Sequence, residues 1–377
     1  MKVGLEQSMF ETGGNVISPR IRSRKALSSS IHRLLMGVSS PSVFYYRKGV
    51  HMKKILLFNS VIVFILLLSA CGSSLPLPIF TDAPPPPVPT TGSARTLGAV
   101  SATNPCIGAP APADWKHVVV VMFENKRSDQ IIGTAPYITA LAKKCATAMN
   151  WMDADTKVDG SRDGKYNSKP NYATLTSGVS PSVHGILKDT YPTTTEVDNL
   201  YHQMALAGLS FKDYYEAGPG GCSVRFSGDY HDPIRYYTDV ADICDAHDMP
   251  LSNFMQDLAS GDLPAFSMIL PTKAHSMHDN SIASGDDYAK TILDPLLNSQ
   301  AYANGDVAVF FLWDEDVPVS NVLIAPSIVP GTQISVISGN PISHFSALRT
   351  WEDMLDLPLL GDAESAPNLM PYFGDDE

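Results

Sequence analysis

The chain has 377 residues, 44% of them hydrophobic and 18% charged, a composition that excludes wholesale disorder and a collagen-like repeat. Ten of its 27 Lys and Arg but only two of its 39 Asp and Glu precede Cys71, which leaves 17 basic against 37 acidic residues and a net charge of −20 for the remainder. A field of that sign repels phosphate backbones, so nucleic acid is excluded as a partner and an acidic site loaded with cations is favoured.

Residues 55–70 (ILLFNSVIVFILLLSA) carry no charge, follow Lys53 and Lys54 and end in small residues. This is the anatomy of a secretory signal, and the run is short for a membrane span. Its ending, Leu68-Ser69-Ala70-Cys71-Gly72, resembles a bacterial lipobox. That resemblance implies a lipoprotein signal peptide over 52–70, lipidation of Cys71, and export with anchoring to the membrane by lipid. An uncleaved membrane anchor is the alternative and also places the domain outside the cytoplasm. Met52 stands directly before the two lysines, so residues 1–51 read as an over-extended start and not as a domain. Residues 71–113, rich in Pro, Ser, Thr and Ala, read as a linker, which leaves 114–377 as the folded domain. Cys106, Cys145, Cys222 and Cys244 are an even set in an exported chain, and short loop closures favour pairing Cys106 with Cys145 and Cys222 with Cys244.

The first strand is expected at 118–123, where a continuous β-branched run after His117 fits a parallel strand buried on both faces. Pro136 opens a helix to about Met149, with Thr134 as its cap. Further helices are expected over 169–177, 197–207, 250–260, 286–298 and 344–356, several stopped by glycine, and strands over 209–214, 265–270, 306–312 and 321–325. The alternation predicts a three-layer α/β/α sandwich with a mostly parallel central sheet and its site at the carboxyl ends of strands.

Two acidic clusters occupy such ends. The first strand runs into Glu124-Asn125 and the strand at 306–312 into Trp313-Asp314-Glu315-Asp316. Like charges this close repel without a counter-ion, and a divalent metal supplies one. Between them lies Ser168-Lys169-Pro170-Asn171, at a helix start, followed by Thr176-Ser177-Gly178 and His184-Gly185-Ile186. A hydroxyl among free N–H groups at the positive end of a helix can meet a phosphate, although capping the helix would account for Ser168 equally well.

The segment 168–186 resembles the nucleophile block of the alkaline phosphatase superfamily, and His117–Gly133 is similar to the opening strand and Glu-Asn signature of the bacterial phosphoesterases that include acid phosphatases and phospholipases C. Tyr230-His231-Asp232-Pro233, Met277-His278-Asp279, Trp313-Asp314-Glu315 and His344 follow in order, so the resemblance spans about residues 115–362. It implies an alkaline-phosphatase-like fold and a metal-dependent phosphoric ester hydrolase. Ser168 would be the nucleophile, passing through a phosphoserine. Glu124, Asn125, Ser168, Asp314 and Glu315 would bind a divalent ion, Mg, Ca, Mn or Zn. His231, His278 and His344 would donate to phosphate oxygens, protonate the leaving oxygen or hold a second metal, and Asn171 would donate to a non-bridging oxygen.

The substrate implied is a phosphate ester, either a small molecule or a phospholipid head group. An acid-phosphatase-like phosphomonoesterase is the main reading, with a phospholipase C-type phosphodiesterase and a non-catalytic binding module as alternatives. The chain departs from the pattern at Lys126-Arg127, where related families carry an aromatic or small residue; a solvated turn is the preferred reading there, and attraction of an anionic substrate the other. Nothing in the sequence fixes the oligomeric state.

Overall fold

The computed structural model describes residues 100–156, 164–190, 194–223, 231–334 and 340–375, all within the compact unit Pro85–Glu377. The leader expected over 1–51, the signal over 52–70, the lipidated Cys71 and the linker up to residue 99 lie outside the described residues. In chain order the elements are β1 (His117–Phe123), α1 (Ser128–Ile131), α2 (Pro136–Lys144), β2 (Ala146–Trp151), α3 (Ser168–Ser177), α4 (Pro181–His184), α5 (Leu200–Ala207) and β3 (Phe211–Tyr215). They continue with β4 (Asp248–Pro250), α6 (Leu251–Ser260), β5 (Phe266–Leu270), α7 (Ile282–Leu297), α8 (Gln300–Asn304), β6 (Val307–Trp313), β7 (Val319–Ile324), β8 (Thr332–Ile334) and α9 (His344–Met354).

The eight strands form one sheet in the order β4-β3-β5-β1-β6-β7-β2-β8. Among the described strands β7 alone runs against its neighbours, so the carboxyl ends of the other seven share one edge. The middle strands β5, β1 and β6 are buried along almost their whole length, as continuous Val, Ile and Phe runs demand when helices cover both faces. Helices α2, α7 and α8 pack together, and α3 packs with α4, α5 and α9. The second group reaches the sheet through Trp351 of α9, whose ring lies 5.4 Å from Phe266 of β5 and 5.7 Å from Phe310 of β6. The α/β/α sandwich expected from the alternation is thus the fold.

Helix α3 ends where glycine is required. Gly178 has φ 70, and a Cβ there would stand 2.3 Å from the Leu360 carbonyl oxygen; Asp362 N–H donates to the Gly178 carbonyl at 2.7 Å. The carboxyl-terminal segment can therefore close directly over the end of α3.

Beyond element ends that shift by up to three residues and short elements outside the sequence reading, four features differ from it. The helix expected to reach Met149 stops at Lys144, because Cys145 turns extended (φ −127) and is tied to Cys106 by a disulfide with Cα atoms 5.2 Å apart; residues 146–151 become β2. Thr134 does not cap α2: the Asp286 carboxylate of α7 accepts the Tyr137 and Ile138 N–H groups, both at 2.9 Å. Helix α7 begins at Ile282, not 286, with the Ser281 side chain accepting from Ser284 N–H at 3.1 Å. The linker expected to run to 113 is already domain by residue 100. Cys106 is buried, and the N–H groups of Ile107, Gly108 and Ala109 donate to the carbonyls of Pro326 and Ile328, pairing that a solvated linker would not make. The second disulfide, Cys222–Cys244, closes a span of 22 residues, so both expected pairings are present.

Candidate active site

Strands β1 and β6 pair in parallel from His117 opposite Val307 to Phe123 opposite Trp313. The residues that follow, Glu124 and Asp314, therefore leave the sheet side by side, on strands about 4.8 Å apart. Asp314 N–H donates to the Phe123 carbonyl at 3.2 Å. Asn125 takes a left-handed conformation, φ 53, and its N–H donates to Asp314 Oδ1 at 3.2 Å. Tyr172 of α3 donates its hydroxyl to Glu124 Oε1 at 3.1 Å, so the helix and the sheet edge are joined through a ligand candidate.

Ser168 is the first residue of α3, and the capping work is done elsewhere: Asp189 Oδ1 accepts the Lys169 N–H at 2.9 Å. The Ser168 side chain lies close enough to the Asp314 carboxyl to hold its pKa down. The serine thus stands beside the acidic edge, one residue past Asn167, the N-cap of α3.

The electrostatics of this edge are those of uncompensated negative charge. Burial, and then the charge of Asp314, hold the Glu124 carboxyl well above the usual carboxylate range. Burial likewise pushes Asp314 up, against the nearby Ser168 side chain and the hydrogen bond from the Asn125 N–H. Burial followed by Asp314, Asp316, Asp189 and Asp153 raises Glu315. Asp314 Oδ2 is buried without a hydrogen-bond partner. Carboxylate, amide and hydroxyl oxygens around an orphaned buried oxygen fit a hard divalent cation, whose charge would reverse these upward shifts.

The three histidines occupy different surroundings. His231 is buried, with Nε2 3.1 Å from Glu124 Oε2, and burial, then the neighbouring His278, lowers its pKa to about 3. His278 is half-buried and the most open of the three; its Nδ1 sits 2.5 Å from Asp279 Oδ1 and its ring 6.0 Å from that of His231. His344, fully buried at the start of α9, uses both nitrogens: Nδ1 faces the Trp151 indole N–H at 3.3 Å and Nε2 the Asp314 carbonyl at 2.6 Å. Burial lowers its pKa to about 4, so the neutral ring accepts from Trp151 and donates to Asp314. Asn171 departs from its expected role in a similar way. Its Oδ1 accepts the Ala154 N–H at 2.7 Å and its Nδ2 donates to the Asn167 carbonyl at 2.9 Å, so the side chain pins the segment after β2 to α3.

The Phosphoesterase family model matches residues 163–343, the stretch that carries Ser168, Asp314 and Glu315. A phosphatidylinositol-3-phosphatase of Mycobacterium tuberculosis is 31% identical over 287 residues, 75% of this chain and 90% of the relative. The chain belongs to the phosphoesterase family. It is accordingly a phosphoric ester hydrolase. An acid phosphatase of Aspergillus fumigatus is 27% identical over 128 residues, 32% of this chain and 28% of that relative. A phosphonate monoester hydrolase of Agrobacterium radiobacter superposes with a TM-score of 0.46 at 13% identity, over 70% of this chain and 78% of that one.

Sequence reasoning missed part of this phosphoesterase's acidic edge. Asp153 and Asp155, both buried, follow β2 and line a cavity of about 240 Å³ with Arg127, Lys165, Tyr166, Glu315, Asp316 and Val317. The Asp-Ala-Asp spacing was visible, but with β2 read as the tail of a helix it had no strand end to occupy. Tyr172 and Trp151 were missed for a simpler reason: aromatic residues in apolar runs read as core. A separate triad, Asp198, His202 and Asp239, brings three ligand atoms within 4.8 Å of one another near the start of α5. It is partly exposed and its geometry follows from charge pairing, since His202 Nδ1 lies 2.9 Å from Asp198 and 3.5 Å from Asp239.

Proposed function

We propose that this phosphoesterase is a metal-dependent phosphomonoesterase with Ser168 as its nucleophile. The observation that carries the reading is the closeness of the Ser168 side chain to the Asp314 carboxyl, one of whose oxygens is orphaned, at the paired ends of β1 and β6. Glu124, Asn125, Asp314, Glu315 and Ser168 would hold the ion. Bound there, it would neutralise the transferring phosphoryl group and lower the pKa of the serine hydroxyl.

The chain's own groups supply the rest. Ser168 Oγ gives its proton to solvent water and attacks phosphorus in line; the Oγ–P bond forms as the bond to the leaving oxygen breaks. His278, the solvent-reachable histidine, gives that oxygen its proton with Asp279 orienting the ring. His231 faces Glu124 as a neutral ring, His344 steadies the Asp314 backbone, and Asn171 fixes the 153–155 segment; the two histidines act on ligands, and none of the three acts on the phosphoryl group. Water then hydrolyses the phosphoserine and releases inorganic phosphate. The relative that acts on a phosphatidylinositol 3-phosphate favours a monoester on a lipid head group as substrate. The two disulfides accord with an exported enzyme, and anchoring through Cys71 would hold it against a membrane.

Ser168→Ala tests the assignment. It is expected to abolish release of para-nitrophenol from its phosphate ester and to remove the acid-stable phosphoenzyme trapped by rapid quench from the native protein. Unaltered turnover would eliminate this nucleophile. Faster release from the para-nitrophenyl ester of phosphorylcholine than from the monoester would shift the specificity to a phosphodiesterase.

A further inference from the structure

We propose that Lys126 is a positioning residue, whose ammonium group holds the turn bearing Glu124 and Asn125 in register with the turn bearing His278. The proposal rests on the reading of Glu124 and Asn125 as cation ligands. Lys126 neither sits on a solvated turn nor faces an incoming anion: it is half-buried, and its Nζ donates to the Asn125 carbonyl at 3.1 Å and to the Met277 carbonyl at 2.6 Å. Arg127, by contrast, is exposed and pairs with Asp129 at 3.0 Å.

The two carbonyls belong to residues in an unusual backbone state. Asn125 has φ 53 and Met277 φ 74, a region that residues other than glycine occupy only where their surroundings enforce it. One ammonium, a compact donor with three hydrogens, bridges both. The two turns are already adjacent, since Glu124 N–H donates to the Ser276 carbonyl at 2.9 Å. Met277 is seated from its far side by α7, where a Cβ on Gly285 would come within 2.3 Å of its side chain. Lys126 adds what these contacts leave open, the rotation of the Asn125 peptide. With the Asn125 N–H held by Asp314 Oδ1 on one side of its Cα and the Asn125 carbonyl held by Lys126 on the other, φ of Asn125 is fixed, and with it the direction in which the Asn125 side chain leaves the turn. Loss of the ammonium would let Asn125 relax toward ordinary φ, while the buried strand β1 keeps the fold.

The test uses the full chain with Lys126→Met, which keeps the apolar stem and removes the donor, and Lys126→Arg, which restores a cation. Mn²⁺ alone is titrated calorimetrically into chelator-treated protein, with Ca²⁺ and Zn²⁺ in parallel, and kcat and KM are measured at low and high salt. The expected result is at least tenfold weaker cation binding and at least tenfold lower kcat in Lys126→Met, with KM little changed and partial recovery in Lys126→Arg. Lys126→Gln replaces the Met variant should that one not fold, with the same expectation. Cation affinity and kcat within twofold of the native protein would overturn the proposal, and so would a defect confined to KM that high salt abolishes, which is the mark of substrate attraction. Native protein that binds none of the three ions would overturn the metal reading together with this one, whereas equal binding by native and variant protein overturns the role of Lys126 alone.

Discussion

Replacing Glu352 by Gln is expected to raise stability at neutral pH and flatten its pH dependence. Glu352 lies in α9 with its side chain fully buried; Oε1 accepts the Leu360 N–H at 2.9 Å and Oε2 has no hydrogen-bond partner. Burial pushes its pKa from 4.5 up to about 8. The folded protein therefore holds a proton that the unfolded chain releases near pH 4.5, so stability from this group is full below that pH and is lost as pH rises toward 8. At about 1.4 kcal/mol per pH unit, the native protein should lose roughly 2 kcal/mol relative to the variant between pH 5 and 7. Gln keeps the acceptor for Leu360 and the neutral shape at every pH. At about 2–4 °C per kcal/mol for a domain of this size, the gap in Tm should open by about 4–8 °C over those two pH units. Calorimetric scans of both proteins in chelator at several pH values measure it. Curves that run parallel, or a variant less stable at pH 8, would refute the account of Glu352 as a buried, neutral acid.

Tyr172→Phe removes only the hydroxyl that orients Glu124, and should lower kcat roughly tenfold with the circular dichroism spectrum unchanged; steady-state kinetics on para-nitrophenyl phosphate decide it. Trp151→Phe frees His344 Nδ1 while filling most of the same space, and should lower kcat by a similar factor, about tenfold, with KM unaffected. Chelation should abolish turnover, and the ion that restores it at about 100 times its Kd should restore about 2.7 kcal/mol of stability, read as the rise in Tm on add-back.

The parts of this site legible in the sequence are those where one segment carries both a structural and a chemical signal. The run from Val118 to Phe123 is apolar enough to be a central strand, and Glu124-Asn125 at its end stands out for that reason; Val307–Trp313 with Asp314-Glu315 repeats the pattern. Ser168 was legible as a helix start but not as a group facing Asp314, because the cap that frees it, Asp189, is 21 residues away in the chain. The segment at 145–151 failed because Ala146, Ala148 and Met149 fit a helical face as well as a strand, and the constraint that decides the matter is a disulfide from outside the segment. The contacts of Asn171 and His344 were not legible because their partners, the Ala154 N–H and the Trp151 indole, lie just beyond and at the end of a strand that the periodicity did not disclose.

The pairing of β1 with β6 also governs when this protein can act. Glu124 and Asp314 are contributed by strands whose synthesis is separated by most of the domain, and the ring that steadies Asp314 comes later still, at His344. A chain interrupted between Ser168 and that point would have its serine but neither its complete carboxylate cradle nor the closing contact on α9, so on the proposed mechanism such partial products would be hydrolytically silent.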